Sequence, residues 1–190
     1  MTTVYFIRHA EPNYNNHNDA LRELSPKGLE DRKLVTKFLA GQQIDAVLSS
    51  PYQRAVDTVK DFADSFGFQM ELVDDFRERK IDSVWIDNFQ EFSKRQWRDF
   101  SFKLPDGECL RQVQERNIKA LNEVLERYSG KKIAVGSHGT ALSTIIHYYD
   151  PAFSYDDFER IRKLMPWIVR FEFDQDKNCT DIQYIDLFDT

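Results

Sequence analysis

Thr3-Val4-Tyr5-Phe6-Ile7-Arg8-His9 is the stretch from which the fold of this chain can be read. A run rich in β-branched and aromatic residues, ended abruptly by charge, is the pattern of a strand buried in a sheet. The dipeptide at its end sets a permanent cation, Arg8, beside an imidazole, His9. Two later runs end in a similar way. Ala46-Val47-Leu48 leads into Ser49-Ser50-Pro51-Tyr52-Gln53-Arg54, and Lys132 to Gly136 leads into Ser137-His138-Gly139. Open α/β sheets bind ligands outside the carboxyl ends of their strands, so the three strand ends point at one place.

Between these strands the helical signals alternate with them as βαβ construction requires. Ser25-Pro26 reads as a capping serine with proline in the first turn, opening a helix that runs to about Ala40 and stops at Gly41. Asp45 to Ser49 reads as a second strand, Tyr52 to Phe66 as a helix and Gln69 to Val73 as a short third strand. From Arg79 to Leu104 the rhythm breaks. That segment carries Trp85, Phe89, Phe92, Trp97, Phe100 and Phe102 among mixed charges and has no strand pattern, which predicts an inserted cap. A helix follows over Glu108 to Tyr128, then a buried strand over Lys132 to Gly136 and a helix over Thr140 to Tyr149. The tail reads as a hairpin, Trp167 to Phe173 and Thr180 to Leu187, turning at Asp176-Lys177-Asn178. The expected architecture is one domain over 1–190: a three-layer α/β/α fold with a mostly parallel central sheet and a cap at about 79–104.

Of the 190 residues, 41% are hydrophobic and 14% aromatic, enough for one packed core. A net charge of -6 argues against a nucleic-acid coat, which needs positive surface excess, so an anionic ligand must meet a local positive pocket. No apolar stretch reaches the ~20 residues that span a bilayer. Cys109 and Cys179 read as unpaired thiols, and a cytoplasmic location is the expectation.

A phosphate dianion leaving water needs fixed positive donors, which Arg8 and Arg54 supply as bidentate forks charged at any working pH. A neutral His9 can take a phosphoryl group on nitrogen, and His138 can donate a hydrogen bond to it. A leaving alkoxide needs a proton, for which Glu78, Asp74, Asp75 and Glu11 compete, and spacing does not separate them. Each motif alone has a structural explanation: a strand-to-helix turn at Ser137-His138-Gly139, a helix start at Ser50-Pro51 and surface charge at Arg8-His9. Their common position at three strand ends favours a shared site. His17 in its loop and His147 on its helix read as structural or solvent-facing. No metal or other cofactor is expected, because a divalent cation beside Arg8 and Arg54 would be repelled.

Taken together, Arg8-His9-Ala10-Glu11-Pro12, Leu24-Ser25-Pro26-Lys27-Gly28, Ser49-Ser50-Pro51-Tyr52-Gln53-Arg54-Ala55, Glu78 and Ser137-His138-Gly139 resemble the histidine phosphatase superfamily, the phosphoglycerate mutase-like family. The resemblance implies that His9 is the phosphorylated nucleophile, that Arg8, Arg54 and His138 form the phosphate pocket and that Glu78 is the proton donor. Asn15, Ser25 and Gly139 match positions that line the substrate pocket. Ala10 departs from the usual glycine, Asp57 from a common glutamine and Ser143 from a common arginine. Mutases of this family carry a longer insertion between the acid and the second histidine, and here 59 residues, 79 to 137, lie between Glu78 and His138. The expected activity is therefore a metal-independent phosphatase acting on a small phosphorylated substrate, with a mutase-type phosphotransferase or a non-catalytic phospho-ligand binder as alternatives. Lys80, Lys94, Arg95, Arg98 and Lys103 are candidates for reading a second anionic group, with a solvated charged face as the plainer role. A homodimer is conceivable through an exposed edge strand or the Trp167 to Phe173 segment.

Overall fold

The computed structural model describes residues 1–189. β1 (Thr2–Arg8) is buried along its whole length, as its apolar run requires. It pairs parallel with β4 (Lys132–Ser137) and antiparallel with β5 (Trp167–Phe173). Parallel pairing extends through β2 (Ala46–Ser49) to the two-residue β3 (Glu71–Leu72), and β6 (Cys179–Ile185) closes the far edge as a hairpin with β5. The six-stranded order is β3-β2-β4-β1-β5-β6, so the sheet is mostly parallel with an antiparallel pair at one side.

Alternation along β1 sorts its side chains between two layers. Tyr5 and Ile7 enter the core formed with α1 (Pro26–Ala40) and α2 (Gln53–Phe66). Val4 and Phe6 enter the larger core formed with α4 (Leu110–Arg127) and α5 (Gly139–Tyr149). The α1 boundaries match the capping signals: Ser25 Oγ accepts the Gly28 N–H, and Gly41 ends the helix. α5 buries every residue from Gly139 to Ile146, which is why its sequence lacks a polar face.

Two features depart from the expected organisation. The cap is not merely irregular, since it contains α3 (Phe89–Arg98), an amphipathic helix capped by Asn88. A further helix, α6 (Tyr155–Ile161), occupies a stretch to which no element was ascribed. Ser154 and Asp157 form a capping box there, a local signal of a helix start. The Trp167 to Phe173 segment is β5, hydrogen-bonded by β1 on one side and β6 on the other, so it is an interior strand rather than an edge. Among the described residues, no helix is long and apolar enough to cross a membrane.

Candidate active site

Parallel register builds the site. Arg8 pairs with Ser137, and Ser49 pairs with Gly136, so the residues that follow, His9, Ser50 and His138, leave the sheet at the same level. The His9 and His138 rings stand 5.4 Å apart although 129 positions separate them in sequence. His9 lines an open cleft of about 1030 Å³, whereas His138, fully buried against it, is not among the lining residues.

His9 is fixed by its neighbours. Its Nδ1 lies 2.7 Å from the Ala10 carbonyl, which can only accept, so Nδ1 carries the proton. Arg54 Nε donates to Nε2 at 3.3 Å, consistent with a lone pair on that atom. Burial first, then the charges of Arg54 and Arg8, push the His9 pKa well below the usual imidazole value, so the ring is neutral at pH 7. Thr58 holds the bend behind it: its Oγ1 accepts the Ala10 N–H at 2.9 Å and donates to the Arg54 carbonyl at 2.7 Å. His138 is likewise fully buried and held neutral, mainly by desolvation, with its Nε2 2.7 Å from Ser50 Oγ. Its Nδ1 has no protein partner.

The two expected arginines do more than face the cleft. Arg8 Nη1 donates to the carbonyls of Ile161 and Arg162 at 2.7 and 3.0 Å, tying the C-terminal end of α6 to the site. Its pKa is lowered to about 10 by burial, which leaves it cationic at neutral pH. Its guanidinium lies against Gly139, where a Cβ would stand 3.0 Å from Arg8 Nε. That close approach is why glycine begins α5. Arg54 donates Nη1 to the Asp19 carbonyl at 2.5 Å and pairs Nη2 with the Asp19 carboxylate at 3.0 Å. Asp19 and the half-buried Arg22 were not anticipated from sequence. They sit in a polar loop whose fold over the strand ends has no local signature.

Glu78 lies on the cleft wall. Its carboxylate accepts the N–H groups of Arg79 at 2.8 Å and of Thr140 and Ala141, each at 3.0 Å, and so caps α5 where the helix dipole favours an anion. Arg116 of α4 holds this segment from behind by donating to the carbonyls of Asp75, Arg77 and Glu78 while it ion-pairs with Glu108 at 2.9 Å. Of the competing carboxylates, Asp74 and Asp75 pair with Arg77, and Glu11 accepts from Ser25 at 2.7 Å. None of the three lines the cleft, whereas Asp19 and Asp82 do.

Other expected residues are placed differently. Asn15 is exposed and donates its backbone N–H to Asn13, and it does not line the cleft. Ser25 is spent on the α1 cap and on Glu11, so it braces the loop behind His9 from outside the cavity. Of the five cap cations named above only Lys80 reaches the cleft, and Arg95 instead covers the Phe102 ring at 3.7 Å. His17 is not a bystander: its ring stacks on Trp85 at 4.1 Å, and together they clasp the polar loop to the cap across the cleft mouth. His147 is structural, bonded through Nδ1 to the Phe153 carbonyl at 2.8 Å.

Six cationic side chains, Arg8, Arg22, Arg54, Arg79, Lys80 and Arg162, line the cleft against three carboxylates, Asp19, Glu78 and Asp82. A chain of net charge -6 thus concentrates positive charge at one place, as an anion site requires. Among the described residues no cluster of three or more His, Cys, Asp or Glu side chains is arranged to hold a metal ion.

Comparison with known proteins agrees with this geometry. The family described as "Histidine phosphatase superfamily (branch 1)" matches residues 4–182. A curated relative, the probable phosphoglycerate mutase GpmB of Yersinia pestis (strain Pestoides F), is 29% identical over 160 residues, covering 77% of this chain and 74% of the relative. Among solved structures, Bacillus stearothermophilus YhfR superposes with a TM-score of 0.77 at 19% identity, covering 95% of both chains. A phosphoserine phosphatase from Entamoeba histolytica in complex with 3-phosphoglyceric acid gives 0.77 at 20% identity, covering 98% of this chain and 99% of that one. With the family pattern matched across nearly the whole chain and its charged residues gathered at three adjacent strand ends, this protein belongs to the histidine phosphatase superfamily.

Proposed function

We propose that this protein is a phosphomonoesterase that works through a phosphohistidine at His9 without a metal. The observation that carries the proposal is the state of His9: a neutral ring lining the cleft, its Nδ1 proton committed to Ala10 and its Nε2 lone pair met only by the long 3.3 Å contact from Arg54 Nε, which an entering phosphoryl group displaces. In the first step Nε2 attacks phosphorus, the phosphorus–ester oxygen bond breaks and the leaving alkoxide takes a proton that Glu78 has accepted from the monoprotonated phosphate ester on binding. Water then attacks the phosphohistidine, Glu78 recovers a proton from that water, and the phosphorus–nitrogen bond breaks to return the electron pair to Nε2. Arg8, Arg54 and His138 spread the charge of the equatorial oxygens during both steps, the work that a cation does in other phosphoryl-transfer sites. Fixed guanidinium groups in a buried floor supply it without reorganisation.

One observation favours a second reading, a mutase-type phosphotransferase: the curated relative at 29% identity carries a mutase name. The two differ in whether water reaches the phosphoenzyme. Phosphate release from para-nitrophenyl phosphate, assayed with chelator over about pH 5 to 8, tests the proposal. Turnover that survives chelator and disappears in His9→Ala is the expected result. Full turnover in His9→Ala would overturn it, and phosphate transfer between phosphoglycerate positions with negligible release to water would establish the mutase reading in its place.

A further inference from the structure

Arg54 is almost wholly buried, and each of its three guanidinium nitrogens already has a protein partner. Nη1 donates to the main-chain carbonyl of Asp19, Nη2 stands 3.0 Å from the Asp19 carboxylate, and Nε makes the long 3.3 Å contact to His9 Nε2. Nε and Nη2 form one edge of the planar fork, an edge through which arginine grips an oxyanion by two parallel hydrogen bonds. In the resting site that edge is divided between the nucleophile and a carboxylate. The phosphoryl group of the proposed reaction, approaching His9 Nε2, needs the same edge and so meets Asp19 as a competitor.

The two halves of the Asp19 contact are unequal. The backbone half is fixed. The Asp19 carbonyl accepts from Arg54, and the next carbonyl, of Ala20, accepts the Gln53 N–H at 2.9 Å, so the loop is pinned to the first turn of α2 by its main chain. The carboxylate half is open. Asp19 lines the cleft with its side chain 44% exposed, and among the described residues its one other ion pair is with Arg22 at 3.5 Å. Rotation about its side-chain bonds lifts the carboxylate off Arg54 into solvent without moving the loop. A cleft lined by six cations also has the opposite difficulty, since the inorganic phosphate it produces is itself an anion that such a pocket retains. We propose that Asp19 is an exchangeable counter-ion of Arg54: its carboxylate yields Nη2 to the phosphoryl group and returns as inorganic phosphate departs, so that it weakens product binding. This rests on the phosphomonoesterase reading and adds to it a residue that governs release.

Asp19→Asn removes the charge and keeps the size and an acceptor oxygen. Calorimetric binding of inorganic phosphate reads its effect with no need of turnover. The expected result is binding about tenfold tighter than in the wild type, the order expected for one unit charge taken from a partly solvated site. The inhibition constant of phosphate against para-nitrophenyl phosphate falls by the same factor. In an Arg54→Gln background Asp19→Asn has no such effect, because the cation it competes for is gone. Asp19→Ser repeats the loss of charge with a different side chain, so a folding defect in one variant does not decide the result. Weaker or unchanged phosphate binding in both variants overturns the proposal, since a carboxylate that only clamps Arg54 behaves in that way. So does equal tightening with Arg54 and without it, the mark of a general field rather than of this pair. Absence of turnover on every ester, with the tightening intact and dependent on Arg54, sinks the phosphatase reading and leaves Asp19 as the exchangeable counter-ion of an anion site. Failure of the wild type and both variants to bind phosphate sinks the two together.

Discussion

At the base of the cleft His9 lines the cavity with Ser50 and His138 buried next to it; each follows a strand whose register is set by a hydrogen-bonded ladder, and Arg54 and His138 are 3% and 0% exposed. At the rim, Tyr14, Val84 and Trp85 are carried by loops and are 54%, 68% and 55% exposed. The floor is over-determined: moving His9 breaks its contacts with Ala10, Arg54 and Ser137 at once. The rim is held by the His17 to Trp85 stack and by Arg22, 5.8 Å from the Trp85 ring. Such exposed contacts contribute little each. Under the proposed function, the difference is a division of labour in which the tightly held floor serves the phosphoryl chemistry and the wall and rim above it meet the rest of the substrate.

Removing a floor residue is the strongest way to break that comparison. Arg54→Ala takes away the donor to His9 and the ion pair with Asp19. The expected loss in kcat on para-nitrophenyl phosphate is about 100- to 1000-fold, the usual cost of removing a preorganised charge donor. A loss below about threefold would mean that the floor is not where charge is stabilised.

The two buried histidines, His9 and His138, also mark the protein's stability against pH. Both folded pKa values lie below the ~6.5 of an imidazole in an unfolded chain. Between the two values the unfolded chain binds protons that the folded one refuses, so stability falls as the pH drops below about 6.5, while above it these groups add nothing. Each histidine steepens the fall by about 1.4 kcal/mol per pH unit. Thermal melts from about pH 7.5 to 5 should therefore show a shallower decline in His138→Gln than in the wild type. Parallel declines would contradict the buried, neutral state described for His138.

The smallest effect belongs to the rim. Trp85→Ala removes an exposed stack and should cost about 1 kcal/mol of stability or less and change turnover of para-nitrophenyl phosphate by about twofold. A loss as large as that of Arg54→Ala would erase the division between floor and rim.

Legibility follows the same line. β1, the α1 caps and the strand-end motifs could be read because each is a local pattern: an apolar run, Ser25 with Pro26, a cation or imidazole at the run's end. α6 was missed although Ser154 and Asp157 are a readable cap, because it is only seven residues long and lacks a strong apolar period. Spacing left Glu78 as one of four carboxylates and only the family resemblance singled it out; in the structure Arg116 and the α5 N-terminus hold it on the cleft wall. Arg79 went unremarked beside Lys80, since nothing local distinguishes a buried arginine from an exposed one.

By itself the sequence determined the inventory of this protein: alternating strands and helices, and arginine, histidine and carboxylate side chains at the strand ends. These follow from side-chain sterics and hydrophobic period, which act over a few residues. Only the tertiary structure decided that His9 and His138 meet, that both are held neutral, that Ser25 and Asn15 stay outside the cleft and that Arg79 is buried. Each of those outcomes depends on strand register and on desolvation, and both are set by residues far away in the chain.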